Sequence, residues 1–478
     1  MFRTVAAAAA LLVAATSPAL AADKTAAAPA AAPNFPGQAE FRDLYKELIE
    51  IDTTAEHGSC TRAAEAMAAR LKAAGYPAAD VQVLAPADRP KDGNLIAVLH
   101  GSDAKLKPVM LLAHIDVVEA KRADWTRDPF KLVEENGYFY ARGASDDKAM
   151  ASSFTDAMIR FRKEGFKPRR SIKLALTCGE ETPDTFNGVS WLLSTHRELM
   201  DAAFALNEGA GGRLQGDQRV FLGIQAGEKV YQDFTLSVTN PGGHSSRPVK
   251  DNAIYHLANA LARLGAYDFP VHINQATRLH FTKMSAIMGG EMGAAMKLAA
   301  SDAPTPEAIA AIAKDPGYNS MMRTTCVATM IDGGHALNAL PQKASANVNC
   351  RILPDESVEA TEATLAKVMA EPAVKLEPAG AKSPVSPPPP LTPQILGPAE
   401  KVAGELWPGV PLVPAMSTGA TDGRFMLAAG VPTYGLSGMF GEPDGGGVHG
   451  LNERIRVRSL YEGREFLYRV VKLYAAQR

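Results

Sequence analysis

The spacing of apolar residues changes character near Gly227. Upstream of it, helical patterns alternate with short, nearly continuous apolar runs. In EFRDLYKELIEI, Phe41, Leu44, Leu48 and Ile51 recur at three- and four-residue intervals, which predicts a helix with one buried stripe. NLIAVLH (94–100) and PVMLLAHIDVV (108–118) read as strands. The second is almost wholly apolar, as a strand covered on both faces should be. From Lys148, the residues Met150, Phe154, Ala157, Met158 and Phe161 share a helical face, and Gly165 ends the run. SIKLALTC (171–178) and AAFALNEG (202–209) add two strands. This alternation predicts an α/β domain with a mostly parallel sheet and helices on both faces.

Downstream, Val230, Phe234, Leu236 and Val238 follow the two-residue period of a half-exposed strand. NAIYHLANALARL places Ile254, Leu257, Leu261 and Leu264 on one helical face. An Ala/Met-rich stretch, 282–313, is expected to be helical; strands follow at 324–331 and 344–353, and a helix at 357–370. This α+β unit spans 229–382 and closes on SPVSPPPPLTP, a stiff proline-rich linker. AEKVAGELW, VPTYGLSG and RSLYEGREFLYRVVKLYAA then return to the first style. The expected organisation is one domain in two parts, 38–228 and 383–478, interrupted by a smaller inserted domain.

Composition alters this picture mainly at the N-terminus. A formal charge of −2 over 478 residues and a pI near 6.6 point away from nucleic acid and anionic membrane surfaces. MFRTVAAAAALLVAATSPALAAD has a basic Arg3, an apolar run too short to span a bilayer comfortably, and a small-residue ALA ending at Ala21. It reads as a signal peptide over 1–21, followed by an Ala/Pro-rich flexible tail over 22–37. A retained N-terminal anchor is the alternative. No later stretch offers about 18 consecutive apolar residues, so the expected location is periplasmic or secreted, with no membrane attachment after cleavage. Of the four cysteines, Cys326 and Cys350 flank a possible hairpin and could be cross-strand neighbours; the pairing stays open because register is not legible.

The chemistry lies at the strand ends, where open parallel sheets bind ligands. VMLLAHID ends in His114 and Asp116, SIKLALTCGEE in Glu180 and Glu181, and AAFALNE in Glu208. ARGASDDKA puts Asp146 and Asp147 just before a helix, and GGGVHGLNE presents His449 in a glycine-rich loop. Singly these have plain explanations: a structural histidine, a capping aspartate, a solvated Glu-Glu pair. Together they would crowd carboxylates at one sheet edge, and cations relieve that repulsion. Two histidines with several carboxylates suit zinc or a similar divalent ion. A carboxylate two residues from His114 can also accept its second ring N–H and fix the tautomer.

AHIDVV, ARGASDDKAM, CGEET, NEG and HGLNERI together resemble the signatures of the di-zinc aminoacylase/carboxypeptidase family. That family includes glutamate carboxypeptidases, aminoacylases, carnosinases, succinyl-diaminopimelate desuccinylase and the carboxypeptidase S branch, to which the NEG form and long insertion look most similar. The resemblance covers residue 38 to the C-terminus and implies two Zn2+ ions per subunit, with Co2+ or Mn2+ possible occupants. His114 and Glu208 would complete one site and Glu181 and His449 the other, with Asp146 shared between them. Asp116 would orient His114, and Glu180 would be the general base for the attacking water. The inserted domain would be a lid and dimerisation domain whose His244 stabilises developing charge, in many relatives from the partner subunit. Asn338, Arg351 and Gly419 would contact substrate, and Arg424 is a second candidate for its carboxylate. Ala149 and His335 depart from the family pattern, where Gly and a basic residue are common.

The implied activity is amide hydrolysis beside a free carboxylate, by a carboxypeptidase, a dipeptidase or an N-acyl-amino-acid amidohydrolase acting on a small peptide or N-acyl amino acid. A non-catalytic peptide-binding relative and a structural exported protein are competing readings; neither explains why every ligand position and Glu180 are present. Glycine- and proline-rich joints near Gly227 and Pro384 are expected lid hinges.

Overall fold

The computed structural model describes residues 34–182, 185–380 and 382–477. The expected signal peptide and most of the tail lie outside them. No helix among the described residues is long and apolar enough to cross a membrane.

The larger part is built on a 10-stranded sheet. At its centre Ile172–Thr177, Val109–His114, Phe204–Asn207 and Thr433–Gly435 lie side by side and parallel. Asn94–Leu99 extends one side antiparallel to Ile172–Thr177, and Gln218–Glu228 begins the other. Every side chain of Val109–His114 is buried, as its continuous apolar run requires. Helices Gln38–Glu50, Cys60–Ala73, Lys148–Lys163 and Val457–Ala476 supply one cover, with Phe41, Tyr45, Phe154, Phe161 and Phe466 at zero exposure in a single core. On the opposite face Met110, Leu112, Ala175, Leu192 and Met426 form a second core.

Lys229 is the crossing point between two sheets, because Gln218–Glu228 ends one residue before it and Val230–Thr239 begins one residue after. The second sheet is four-stranded and antiparallel, in the order Thr325–Gly333, Lys343–Ile352, Val230–Thr239, Lys375–Ala379. Ala253–Gly265 and Val358–Met369 cover one face through Leu257, Leu264 and Leu365. Ile254 departs from the sequence pattern: it is 41% exposed, the buried stripe running through Ala253, Leu257, Ala260 and Leu264.

The Ala/Met-rich stretch is longer than expected and forms four helices, Gln275–Met288, Gly290–Ala299, Pro306–Ile312 and Pro316–Met322. Their core includes Val413 of Leu412–Ser417, a strand of the 10-stranded sheet, and none of the buried residues under the four-stranded sheet. His280 Nδ1 and the Pro414 carbonyl, 2.9 Å apart, reinforce this attachment to the larger part.

Both cysteine pairs are disulfides. Cys326–Cys350 joins directly opposed residues of two strands of the four-stranded sheet. Cys60–Cys178 ties the start of Cys60–Ala73 to the residue just after Ile172–Thr177. The sequence reading had no signal for this second bond, since nothing local relates positions 118 apart.

Candidate metal centre and active site

Parallel alignment of Val109–His114 with Ile172–Thr177 puts His114 opposite Thr177, so His114 and the Glu180–Glu181 turn leave the same sheet edge. Phe204–Asn207, the other parallel neighbour of Val109–His114, delivers Glu208 to that edge. His114 Nε2 lies 2.9 Å from Asp146 Oδ1 and 3.8 Å from Glu208 Oε2. His449 Nε2 lies 3.2 Å from Asp146 Oδ2 and 3.0 Å from Glu181 Oε2. Asp146 thus stands between two half-sites, one carrying His114 and Glu208 and the other Glu181 and His449. Ligand atoms of His114, Glu180 and Glu208 also lie within 4.8 Å of one another. His449 is the exposed member and holds a left-handed φ of 58°, a strained conformation for a residue with a Cβ.

The Asp116 backbone carbonyl is 3.1 Å from His114 Nδ1, closer than its carboxylate at 3.7 Å. A proton on Nδ1 leaves Nε2 with its lone pair facing the cluster. The Asp116 carboxylate instead accepts the backbone N–H groups of Glu180 at 3.3 Å and Glu181 at 3.0 Å, and so shapes their turn.

The cluster is strongly acidic. Burial, then Glu208, push Glu180 well above the usual carboxylate range, and burial lifts Glu208 to about 6. Burial and Glu208 likewise raise Asp147. Hydrogen bonds to Asp146 and Glu181 raise His449 to about 10. Burial works against charging His114, yet Glu208, Asp116 and Asp146 together raise it well above its ordinary value. Asp146 alone is held well below the ordinary carboxylate range, by its hydrogen bonds to His114 and His449 against the effect of burial. Glu180, Glu208 and Asp147 forced towards protonation beside imidazoles drawn towards it are the signature of a site short of positive charge. Asp147 adds a second sign: it makes no capping hydrogen bond to the helix it precedes, and its buried Oδ2 has no hydrogen-bond partner among the described residues. The nitrogen and oxygen donors therefore fit a divalent metal.

Residues 110–473, well over half of the chain, match Peptidase family M20/M25/M40. The chain belongs to this family. It is 28% identical to mouse N-fatty-acyl-amino acid synthase/hydrolase PM20D1 over 397 residues, covering 78% of this chain and 75% of the mouse protein. It is also 28% identical to a probable carboxypeptidase S-like 2 of Dictyostelium discoideum over 390 residues, covering 78% and 72%. Among solved structures, the M20 metallo-carboxypeptidase Sso-CP2 of Sulfolobus solfataricus matches with a TM-score of 0.69 at 19% identity, covering 92% of this chain and 100% of that one. Human carnosine dipeptidase 1 matches at 0.61 and 18% identity, covering 92% and 97%. The protein is an M20 metallo-hydrolase of carboxypeptidase S-like character, and its family implies a divalent metal.

The residues expected from the sequence to act on substrate divide into two groups. Arg351 leaves the strand Lys343–Ile352 with its guanidinium 4.6 Å from the Tyr231 ring centroid. Burial, with Arg424 among the further causes, lowers its pKa, which places the two guanidinium groups within electrostatic reach of each other. Gly419 follows Leu412–Ser417, its N–H donating to Ser417 Oγ at 3.0 Å. His244 and Asn338 sit apart from the metal cluster of their own chain. Both are exposed, at the small ribbon that pairs His244 with Ala339, and His244 Nδ1 is 2.8 Å from Ser246 Oγ. Neither forms a hydrogen bond or ion pair with the cluster among the described residues.

Three supporting residues escaped the sequence reading. Glu453 is fully buried; its Oε1 accepts the N–H groups of Ser145 and Asp146 at 2.8 and 3.0 Å. Its Oε2 accepts the Gly143 N–H at 3.0 Å and the Arg142 guanidinium at 2.8 Å. Burial raises the Glu453 pKa against the pull of those donors. Asp422, also raised by burial, accepts Asn187 Nδ2 at 2.6 Å and Thr177 Oγ1 at 3.0 Å, fixing the turn before Glu180. Glu228, pushed up to about 8 by burial, accepts Thr421 Oγ1 at 2.8 Å where the chain crosses to the four-stranded sheet. Glu453 alone had a visible signal, four residues after His449 in HGLNE.

Proposed function

We propose that this M20 protein is an exported, zinc-dependent hydrolase that cleaves the amide bond of small peptides or N-acyl amino acids beside a free carboxylate. The observation that carries the reading is the convergence of His114, Asp146, Glu181, Glu208 and His449 around two half-sites, with the Glu180 carboxylate within 4.8 Å of ligand atoms of His114 and Glu208. Two zinc ions bound there would supply Lewis-acid polarisation of the scissile carbonyl and acidify the attacking water.

The chain's own groups do the rest. Glu180, its proton affinity raised by burial, takes the proton of the attacking water and returns it to the leaving amine. The C–N bond breaks as the water oxygen bonds to the carbonyl carbon, giving an acid and a free amine. Arg351 and Arg424 hold the substrate carboxylate, whose negative charge also relieves their mutual repulsion. His244 and Asn338 act on the partner subunit's site within a homodimer. Their exposure supports this, as does the lid edge strand Thr325–Gly333, where Val327, Met330 and Ile331 are 60%, 71% and 69% exposed. A periplasmic or secreted location rests on the N-terminal sequence pattern and suits two disulfides.

Within this reading, the N-acyl-amino-acid branch is favoured by the activity for which the PM20D1 relatives are named, and the peptidase branch by the carboxypeptidase S-like ones. Hydrolysis of a panel of dipeptides and N-acyl amino acids by the mature protein decides between them. The reading requires zinc-dependent amine release that a Glu180→Gln variant lacks. No turnover of any member by fully metallated protein would overturn it.

A further inference from the structure

The disulfide Cys60–Cys178 borders a cleft beside the turn that carries Glu180 and Glu181. Both cysteines line this space of about 80 Å³, together with Thr53, Arg89, Asp116 and Phe186, and none of the five proposed metal ligands does. Cys60 is the first residue of the 14-residue helix Cys60–Ala73, a position where unpaired N–H groups and the helix dipole stabilise a thiolate. Arg89 adds positive charge to the cleft wall; its guanidinium lies 5.6 Å from the Phe186 ring centroid and its Nη1 3.3 Å from Asp92 Oδ2. Thr53 is 1% exposed and borders the same space, and its Oγ1 has no hydrogen-bond partner among the described residues. That buried hydroxyl is free to donate to an anionic sulfur in the cleft.

Asp116 connects this bond to the metal centre. The sulfurs of Cys60 and Cys178 and a carboxylate oxygen of Asp116 lie within 4.8 Å of one another. The same carboxylate accepts the N–H groups of Glu180 and Glu181, and the Asp116 carbonyl faces His114 Nδ1. The backbone of Cys178 is held without the disulfide: its N–H donates to Asn94 Oδ1 at 3.0 Å and its carbonyl accepts the Gly188 N–H at 2.7 Å. Opening the bond therefore leaves the strand end in place and acts on Asp116. Unbonded sulfurs need more room than a bonded pair, and a Cys60 thiolate repels the carboxylate beside it. Both effects push Asp116 away from the Glu180 and Glu181 N–H groups. Cys326–Cys350 has no such link, since the four-stranded sheet it bridges carries none of the metal ligands.

We propose that Cys60–Cys178 is a reversible redox site, opened by a dithiol through this cleft, and that its opening turns down the metal centre through Asp116. A thiolate of the dithiol attacks Cys178 Sγ, the S–S bond breaks, and Cys60 leaves as the thiolate. The second thiol loses its proton and attacks the mixed disulfide at the reductant's own sulfur, which releases Cys178. The two cysteines gain two electrons, the dithiol becomes a disulfide, and its two protons pass to the freed sulfurs or to water. Control of hydrolysis rests on the amide-hydrolase reading above; control of the Glu180–Glu181 turn does not.

The test treats the metallated, mature protein with dithiothreitol under native conditions. The reductant is then removed without air and zinc restored, so that zinc bound by the reductant does not enter the comparison. Alkylation and peptide mapping tell the two disulfides apart, and a Cys326→Ala/Cys350→Ala variant leaves Cys60–Cys178 as the one bond to open. Cys60 and Cys178 should be freed with the circular dichroism unchanged. Zinc affinity, read with a chromogenic chelator, should fall about 10-fold, the lower end for partners that orient ligands. The kcat on the best panel substrate should fall at least as far, and oxidised glutathione should restore both. Reduced glutathione, acid-trapped as a mixed disulfide, should be found on Cys178; on Cys60 it would overturn the direction of attack. A bond that stays closed until urea unfolds the protein would overturn the proposal. So would an opened bond with zinc affinity and kcat both at parental values, or a loss of activity that reoxidation does not reverse. Reversible loss of zinc affinity in a protein that hydrolyses no panel member would uphold the redox site and overturn the hydrolase reading.

Discussion

Replacing Glu453 with Gln tests whether the loop carrying Asp146 is held by one buried carboxylate. Four donors converge on it, three backbone N–H groups and the Arg142 guanidinium, at 2.8–3.0 Å. A glutamine keeps the shape but turns one acceptor oxygen into an NH2 group, which must face two of those donors. Hydrogen bonds to a charged group contribute about 1.5–3 kcal/mol each, so losing two costs about 3–6 kcal/mol before relaxation. The Arg142 side chain, 3% exposed, would also lose its buried counter-charge, a loss of about 3–5 kcal/mol in comparable pairs. The two figures overlap, because Arg142 is one of the four donors, and we expect a net loss of about 4 kcal/mol. Shifting Asp146 should also weaken metal binding about 10–100-fold, the range for partners that orient ligands. Urea denaturation measures the first effect and competition with a chromogenic chelator the second. A Glu453→Gln protein with parental stability and parental zinc affinity would refute the clasp.

Other consequences concern stability and catalysis. Glu180→Gln should lower kcat about 10²–10⁴-fold with zinc content unchanged, measured on the best panel substrate, as loss of a proton shuttle requires. Lys229 is fully buried between the two sheets, and burial depresses its pKa from 10.5 to about 7. The unfolded chain therefore keeps a proton that the folded chain lacks between about pH 7 and 10.5, so stability from this group rises with pH across that window. Below pH 7 the cost is fully present. Lys229→Met should be more stable at pH 6, by on the order of 4 kcal/mol, and the gain should vanish towards pH 10.5 in parallel denaturation curves. Removing Cys60–Cys178 by paired serines should cost about 2–5 kcal/mol, because the bond closes a span of 118 residues. It should also slow turnover, since Cys178 stands two residues before Glu180; an unchanged melting curve would contradict the first expectation.

What could be read from sequence follows from what is local. His114, Glu180, Glu181 and Glu208 were legible as a group because parallel strands deliver their C-terminal residues to one edge whatever the loops do. Val230–Thr239 was legible from its two-residue period, which its alternating burial follows. Glu453 was visible only as a polar residue in a motif, since its partners lie more than 300 positions away. The 282–313 stretch showed its helicity through Ala and Met, but composition cannot say which domain a helix packs against. Its docking on Leu412–Ser417 emerges only in three dimensions. Ile254 fitted the helical stripe and still faces out, because the stripe is centred one residue away on Ala253.

The most direct test of the two-site centre is zinc titration of the metal-free protein, with amide hydrolysis and bound metal measured at each step. The two half-sites predict that full activity requires two equivalents, that His114→Ala and His449→Ala each bind one ion fewer, and that both are inactive. Full activity at one equivalent, or parental metal content in both variants, would contradict it.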